Sequence, residues 1–469
     1  MKFISLGAVL LGMAPFCLGH PAMTTLTSKG AADVAEPPTS SSEIDELQDS
    51  LAILKTEYDR RISDLERRLE LAEQRVTQTV SRNEVIAEQA MEALELAEEA
   101  ALAPNPMTRS ANTFNPAIGV ILVGTVASQT SHQDYQVPGF SLPEEAGPVD
   151  EGFSLGESEL NFNANVDDKF FANLTFALAS DDGETEVELE EAYIQSLAIP
   201  GGINVTAGRF FSGMGYLNGF HTHTDNFADR PLSYEVFLGG QYKDDGIQVR
   251  WLLPTQHYFE IGGEILRGDA FPAAGAAHDG MGAWSLFADT GGDIGFSGSW
   301  QVGIGVLHTT VIDRAVNASN EESTLFTGDS DLYNLNFVWK WSPNGNPVYT
   351  NFKLQGEYFW REENGQLDTA NYSGDQSGWY LQGFWQFKPQ WRIGYRYDQV
   401  RADNKNVAGT SLEARNDSTD RNSLTLEWSN SEFSRIRLQL NAGQSGLEND
   451  SRWVLQYLHS LGAHGAHRF

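Results

Sequence analysis

The long C-terminal part of the chain alternates apolar and polar residues with a period of two. Stretches such as "KLQGEYFW" (Lys353 to Trp360), "WYLQGFWQF" (Trp379 to Phe387) and "WRIGYRYDQV" (Trp391 to Val400) set aromatic or aliphatic residues against Gln, Gly, Arg and Lys. In a strand this turns one face to an apolar phase and the other to water. Tight turns are expected at "ANVDDKF" near Asp167, "AIPGG" near Pro200, "LLPTQ" near Pro254, "SPNGNP" at Ser342 to Pro347, "FKPQW" near Pro389 and "SNSE" at Ser429 to Glu432. Longer polar connections, approximately 128–153, 212–245, 267–280, 310–331, 361–376 and 401–421, alternate with them. Strict alternation of short and long connections predicts an all-β transmembrane barrel of about sixteen antiparallel strands over residues 117–469. A sandwich or solenoid has no reason to sort its loops by length onto one end. A soluble barrel with a polar exterior stays open.

Ahead of the barrel the period changes. Ile44, Leu47, Leu51, Leu54, Tyr58, Ile62, Leu65, Leu69, Ala72, Val76 and Val80 recur at spacings of three and four, with Glu, Arg and Gln between them. This narrow seam predicts an α-helical coiled coil over 42–103, capped at Ser42 and relaxed by a stutter between Tyr58 and Ile62. One amphipathic helix folded onto its own domain is the alternative. Prolines in "PNPMTRSANTFNP" mark a linker over 104–116. Residues 1–19 read as a secretory signal peptide and 20–41 as a disordered lead. No later window offers about 18 consecutive apolar residues, so helical membrane spans are excluded.

The stretch "DGETEVELEEAYIQSLAIPGG" (Asp182 to Gly202) sets Glu184, Glu186, Glu188 and Glu190 on one strand face and Val187 and Leu189 on the other. Four like charges on one face demand water to screen them. That face is expected to look into a wet lumen or to stand beyond the membrane, with Val187 and Leu189 toward lipid. The doublet Glu190 and Glu191 breaks the alternation and predicts a bulge, or the emergence of the strand from the bilayer.

The 469 residues carry 31 Lys+Arg against 64 Asp+Glu. Such acidity excludes a nucleic-acid backbone as partner. Cys17, the single cysteine, falls inside the signal peptide, which removes disulfides and thiolate metal sites from consideration. No GxSxG elbow, Walker loop or HExxH is present, and His459 beside Ser460 would face opposite sides of a strand, so no enzyme is expected. A receptor with a plug and about 22 strands would need more chain than follows the coil.

"LGESELNFNANVDDKFFANLTFALA" (Leu155 to Ala179) and "VELEEAYIQSLAIPGGINVTAGRFFSGMGY" (Val187 to Tyr216), behind a coiled coil, resemble the phosphate-selective porin O and P family. Ala192 and Tyr193 match its Ala-Tyr strand end, and Gly208, Arg209 and Phe210 match its strand before a long loop. The resemblance implies a trimeric outer-membrane channel of a Gram-negative bacterium, with the coil in the periplasm. From Asn115 onward, however, 6 Lys and 15 Arg face 46 Asp and Glu, so 21 − 46 = −25, and no Lys/Arg ladder is visible. Phosphate capture needs clustered Arg and Lys. The expectation is a water-filled channel for passive uptake of small solutes, cation-preferring or weakly selective.

In general porins the long loop after such a strand narrows the lumen. Here it holds "GYLNGFHTHTDNFADRP". Arg209, His221, His223, Asp225, Asp229 and Arg230, with Glu184, Glu186, Glu188 and Glu190, are therefore the candidate constriction residues. His221, His223 and Asp225 could hold Zn²⁺, or be ordinary loop residues bonded to the wall. His459, His464 and His467 form a weaker cluster in the tail, behind a last strand whose Trp453, Leu455, Tyr457, Leu461 and Phe469 share one parity. Expected partners are outer-membrane lipid and two further copies of the chain. Peptidoglycan or a periplasmic protein could meet the coil. Two other functions stay open: a zinc-linked uptake channel, and a tether whose coil grips the cell wall.

Overall fold

The computed structural model describes residues 116–462 except 130–134, 144–145, 150, 182–183, 274–279, 317–323, 408–409, 414–417 and 446–447, together with Lys55 and Ser63, both helical. Apart from Lys55, Ser63 and residue 116, the expected signal peptide, lead, coil and linker thus lie outside the described residues, as do His464, His467 and Phe469.

The strands are β1 (Ala117–Gln129), β2 (Gly152–Leu155 and Ser158–Asn165), β3 (Phe170–Asp181), β4 (Glu184–Ser196), β5 (Ile203–Phe211), β6 (Lys243–Leu252), β7 (Tyr258–Leu266) and β8 (Ala283–Ile294). After them come β9 (Gly298–Ala315), β10 (Leu325–Trp341), β11 (Asn351–Leu367), β12 (Ala370–Lys388), β13 (Trp391–Lys405), β14 (Thr419–Ser431), β15 (Ser434–Ser445) and β16 (Glu448–Gly462). One helix, α1 (Leu232–Leu238), lies between β5 and β6. The sheet holds 17 hydrogen-bonded segments, and the two pieces of β2 both pair with β1, so they are one strand and the barrel has sixteen. Each strand runs antiparallel to its chain neighbour, and β1 pairs with β16 from Gly119↔Gly462 to Gln129↔Arg452. The sheet therefore closes on itself, with its shortest seam between β4 and β5, Ala192↔Arg209 to Gln195↔Thr206.

Side chains alternate across the wall as the pattern predicts. On β10, Tyr333, Leu335 and Phe337 are exposed outside, while Leu332, Asn334 and Asn336 are buried inside. On β12, Leu381 and Trp385 face out and Tyr380, Gln382 and Phe384 face in. Trp453, Leu455, Tyr457 and Leu461 of β16 all lie on the exposed face, as their shared parity predicts. No helix among the described residues is long and apolar enough to cross a membrane.

All the expected tight turns are present, on the end of the barrel where its first and last strands meet. The strict alternation of loop lengths is not. The expected connection 361–376 is strand, because β11 and β12 pair without interruption to Leu367↔Ala370. β11 is 17 residues long, whereas a tilted strand crosses a bilayer in roughly 9–11. Polar residues on a strand that outruns the bilayer look like a loop in sequence. The turn at 295–297 was also not visible as a break, since it contains no proline.

Candidate pore constriction

The loop 212–242 is the third connection at its end, and it enters the lumen. Two wall carboxylates draw it in. Glu264 of β7 accepts from the Ser212 hydroxyl at 2.6 Å and the Gly213 N–H at 2.7 Å. Glu357 of β11 accepts from the N–H groups of Tyr216 (3.0 Å) and Leu217 (3.1 Å), the hydroxyls of Tyr234 (2.9 Å) and Tyr380 (2.7 Å), and Asn334 Nδ2 (3.0 Å). Every residue of α1 is buried, and its Tyr234 and Phe237 pack edge-on and stacked on Phe359 of β11. The loop begins beyond Gly208, whose φ is 127°. A Cβ there would lie 2.1 Å from the Ala192 carbonyl oxygen, so the tight pairing of β4 and β5 needs glycine.

One wall carries arginines that the sequence did not reveal as a group. Arg361, Arg396, Arg421 and Arg437, on β11, β13, β14 and β15, are all buried and point inward. They donate to loop carbonyl oxygens of Val236 (3.3 Å), Asp229 (2.8 Å), Arg230 (2.6 Å) and Asp225 (2.6 Å), and Arg435 donates to that of His223. Carboxylates balance them: Arg396 meets Asp229 at 2.6 Å and Asp398 at 2.8 Å, Arg421 meets Glu235 at 2.9 Å, and Arg437 meets Glu427 at 2.8 Å. The expectation of no Lys/Arg ladder is thus corrected. Each of these strands offers only one to three arginines, spaced 14 or more residues from those of the next, and only the barrel register stacks them. The signal available was parity: each arginine shares the polar side of its strand with Gln, Ser, Glu or Asp.

The opposite wall is acidic and carries the histidines. Gly124 of β1 pairs with Leu155 and Ile121 with Glu159, so four steps along β2 oppose three along β1, a bulge at Gly156 and Glu157. A second bulge falls in β4, where Thr175 pairs with Glu191 and Phe176 with Leu189. Glu190 is the extra residue, and both Glu190 and Glu191 end up buried on the lumen side. The expected bulge is therefore present. Below it Val187 keeps the outward parity and is exposed, and Glu188 bonds Lys243 at 2.8 Å.

Around these carboxylates lie His221 and His223, on the turn Thr222–Thr224, their rings stacked 5.5 Å apart. His221 Nδ1 is 3.1 Å from Glu159 Oε2 and 3.3 Å from Glu190 Oε2, and its Nε2 is 3.1 Å from Glu191 Oε2. His223 Nδ1 meets Glu159 Oε1. Burial disfavours a charged His221 ring, but Glu159, with Glu190 and Glu191, outweighs it and raises the pKa well above the usual histidine range.

Several sequence-based assignments change. Asp225 does not join the histidines: its Oδ2 pairs with Arg230 Nε at 2.7 Å, and burial pushes its pKa up to about 6 against the pull of that arginine. Glu159 takes its place. Arg230 works within the loop, donating to the Leu217 and Phe220 carbonyls at 2.8 and 2.6 Å. Asp229 is buried, and although burial favours its neutral form, Arg396 and Arg421 hold its pKa below the carboxylate range. Arg209 lies on the outward parity of β5 and pairs across strands with Asp245 at 2.8 Å, so it is not a constriction residue.

Under the loop, a cavity of about 1080 Å³ opens among the tight turns and ends at Tyr216, Leu217, Phe220, His223 and Asp225. Its charged lining comprises Lys340, Lys353, Arg392 and Arg435 against Asp225, Asp293, Glu427 and Glu432, with no excess of either sign. Of the expected constriction residues, His223 and Asp225 line it.

The chain is 30% identical over 390 residues to an uncharacterized protein of Aquifex aeolicus (strain VF5), covering 77% of this chain and 81% of that one. It belongs to the family of that Aquifex protein. No protein-family model matches, so the likeness to phosphate-selective porins stays at the residues quoted above. Among solved structures, the outer membrane channel DcaP of Acinetobacter baumannii is similar, with TM-score 0.49, 14% identity and coverage of 74% of this chain and 97% of that one. A loop-deletion variant of the Vibrio cholerae outer membrane protein OmpT gives TM-score 0.47, 11% identity and coverage of 74% and 99%. The anion-selective porin of Comamonas acidovorans gives TM-score 0.46, 11% identity and coverage of 74% and 99%.

Proposed function

We propose that this chain is an outer-membrane channel for passive passage of small solutes, working as a homotrimer in a Gram-negative bacterium. The carrying observation is the closed sixteen-stranded wall, apolar outside and polar inside, with a loop folded into its lumen above a cavity of about 1080 Å³. An apolar exterior belongs in lipid and a polar interior in water. The evenly charged lining supports weak selectivity in place of the cation preference that the overall acidity suggests. Purified protein in planar bilayers is expected to give discrete conductance steps, with a reversal potential near zero in a KCl gradient. Absence of any conductance would sink the channel reading.

One observation favours a second reading, in which the barrel only anchors the chain. The loop is packed against the wall by a continuous apolar cluster that includes Met214, Tyr234, Phe237, Phe359 and Tyr380. A tether would keep its lumen shut, and it predicts silent bilayers together with retention of the chain on the cell wall.

A further inference from the structure

We propose that Glu159, Glu190, His221 and His223 bind one divalent transition-metal ion of the zinc type, which staples the lumen loop to the wall formed by β2 and β4. Their donor atoms are imidazole nitrogen and carboxylate oxygen, the set that suits zinc, whereas calcium and magnesium prefer oxygen alone. One ligand atom each from Glu159, His221 and His223 lie within 4.8 Å of one another. Zinc bonds to such donors are about 2.0–2.2 Å, which sets neighbouring ligand atoms of a tetrahedron roughly 3.3 Å apart. The distances from His221 Nδ1 to Glu159 Oε2 and Glu190 Oε2 are 3.1 and 3.3 Å.

A proton satisfies this arrangement less well than a metal ion. Nδ1 of an imidazolium carries one hydrogen, which can point at one carboxylate, and here two carboxylates approach the same nitrogen. In the structure, Glu190 Oε2 and His221 Nδ1 are both buried and lie 3.3 Å apart, and the contacts of neither atom have the angles of a hydrogen bond. Glu190 itself is 1% exposed. A metal ion between them takes both, because it has several coordination positions.

The surroundings match a metal centre too. A ligating histidine normally gives its second nitrogen to a carboxylate that orients the ring. His221 Nε2 lies 3.1 Å from Glu191 Oε2, and Asn173 Nδ2 in turn donates to that oxygen at 3.0 Å. The two bulges bring the parts together: one turns Glu159 inward and the other places Glu190 and Glu191 on the same side. Three carboxylates gathered on two histidines leave negative charge that a divalent cation offsets.

The site does not depend on solute flow, so its test is a binding measurement. Full-length protein in detergent, stripped with a chelator and carrying His464→Ala and His467→Ala to remove the tail histidines, is titrated with Zn²⁺ against a chromophoric chelator. One zinc per chain is expected. Glu159→Gln and His221→Ala are expected to bind at least about 100-fold more weakly, and Glu191→Gln about 10–100-fold more weakly, as for an outer-shell partner. Asp225→Asn is expected to bind as the parent does. Folding of each variant is checked by heat-modifiable migration in gels. Should a variant not fold, X-ray absorption of the zinc-loaded parent decides instead: two imidazoles with oxygen neighbours are expected, and a shell without imidazole overturns the site. No stoichiometric binding by the parent, or parent-like binding by folded Glu159→Gln, also overturns it. A parent that conducts without binding zinc refutes this site alone, and one that binds zinc without conducting refutes the channel alone.

Discussion

Glu357 offers the sharpest test of what holds the loop in the lumen. Its Oε1 accepts from the Leu217 N–H and from the hydroxyls of Tyr234 and Tyr380, and its Oε2 from the Tyr216 N–H and Asn334 Nδ2. Glutamine keeps the shape but replaces one oxygen by an NH₂ group. Whichever way the amide turns, that NH₂ faces at least one loop N–H that cannot reverse, Tyr216 on one side or Leu217 on the other. Each such bond is worth about 1.5–3 kcal/mol, and because Asn334 and Tyr380 belong to the wall the loop itself loses at least one, roughly 1.5–3 kcal/mol of its anchoring. At about 1.36 kcal/mol per decade this raises the population of the released loop by roughly 10 to 10². Hydrogen exchange reads that population directly at the Tyr216 and Leu217 amides. In Glu357→Gln both should exchange at least about 10-fold faster, while amides of the β9 and β10 ladder stay unchanged. Current noise in bilayers should grow with them. Acceleration below about threefold, in a barrel that is otherwise intact, would show that the apolar packing of α1 holds the loop and that Glu357 does not.

Three further outcomes follow from other parts of the wall. Gly208→Ala puts a Cβ 2.1 Å from the Ala192 carbonyl oxygen; the strain should cost about 1–3 kcal/mol and lower the heat-modification midpoint. Arg396→Ala strips Asp229 and Asp398 of a buried partner and should cost about 3–5 kcal/mol near neutral pH. In the parent the Asp229 pKa is depressed, so its contribution holds above the ordinary carboxylate range and fades only as pH falls through the lower folded value. Parent stability from this group should therefore be flat between about pH 7 and 5, while the variant, whose buried Asp229 and Asp398 keep only the more distant Arg421, should recover part of its deficit on acidification, as thermal melts would show. Leu455→Arg, on the outer face of β16, should cost about 2–4 kcal/mol if that face meets lipid at mid-depth. A cost near zero in refolding into vesicles would point to a soluble barrel.

The sequence by itself determined the barrel and its rough order. Alternation around Trp379 to Phe387 and Trp391 to Val400 survives as an outside and an inside face because the period of a strand is two in any context. Turns at Asp167, Pro200 and Pro389 were readable because proline, glycine and aspartate act locally. The doublet at Glu190 and Glu191 signalled its bulge for the same reason: two successive polar residues cannot both face a wet lumen in regular strand. What only the tertiary structure decided is which distant residues meet. Glu159 reaches His221 across 62 positions of sequence, Asp225 turns to Arg230, and Arg361, Arg396, Arg421 and Arg437 form one wall, because strand register and closure place them there. Net charge misled for a related reason. It sums residues without position, whereas the potential inside a lumen depends on which charges face inward and on which of them are already paired.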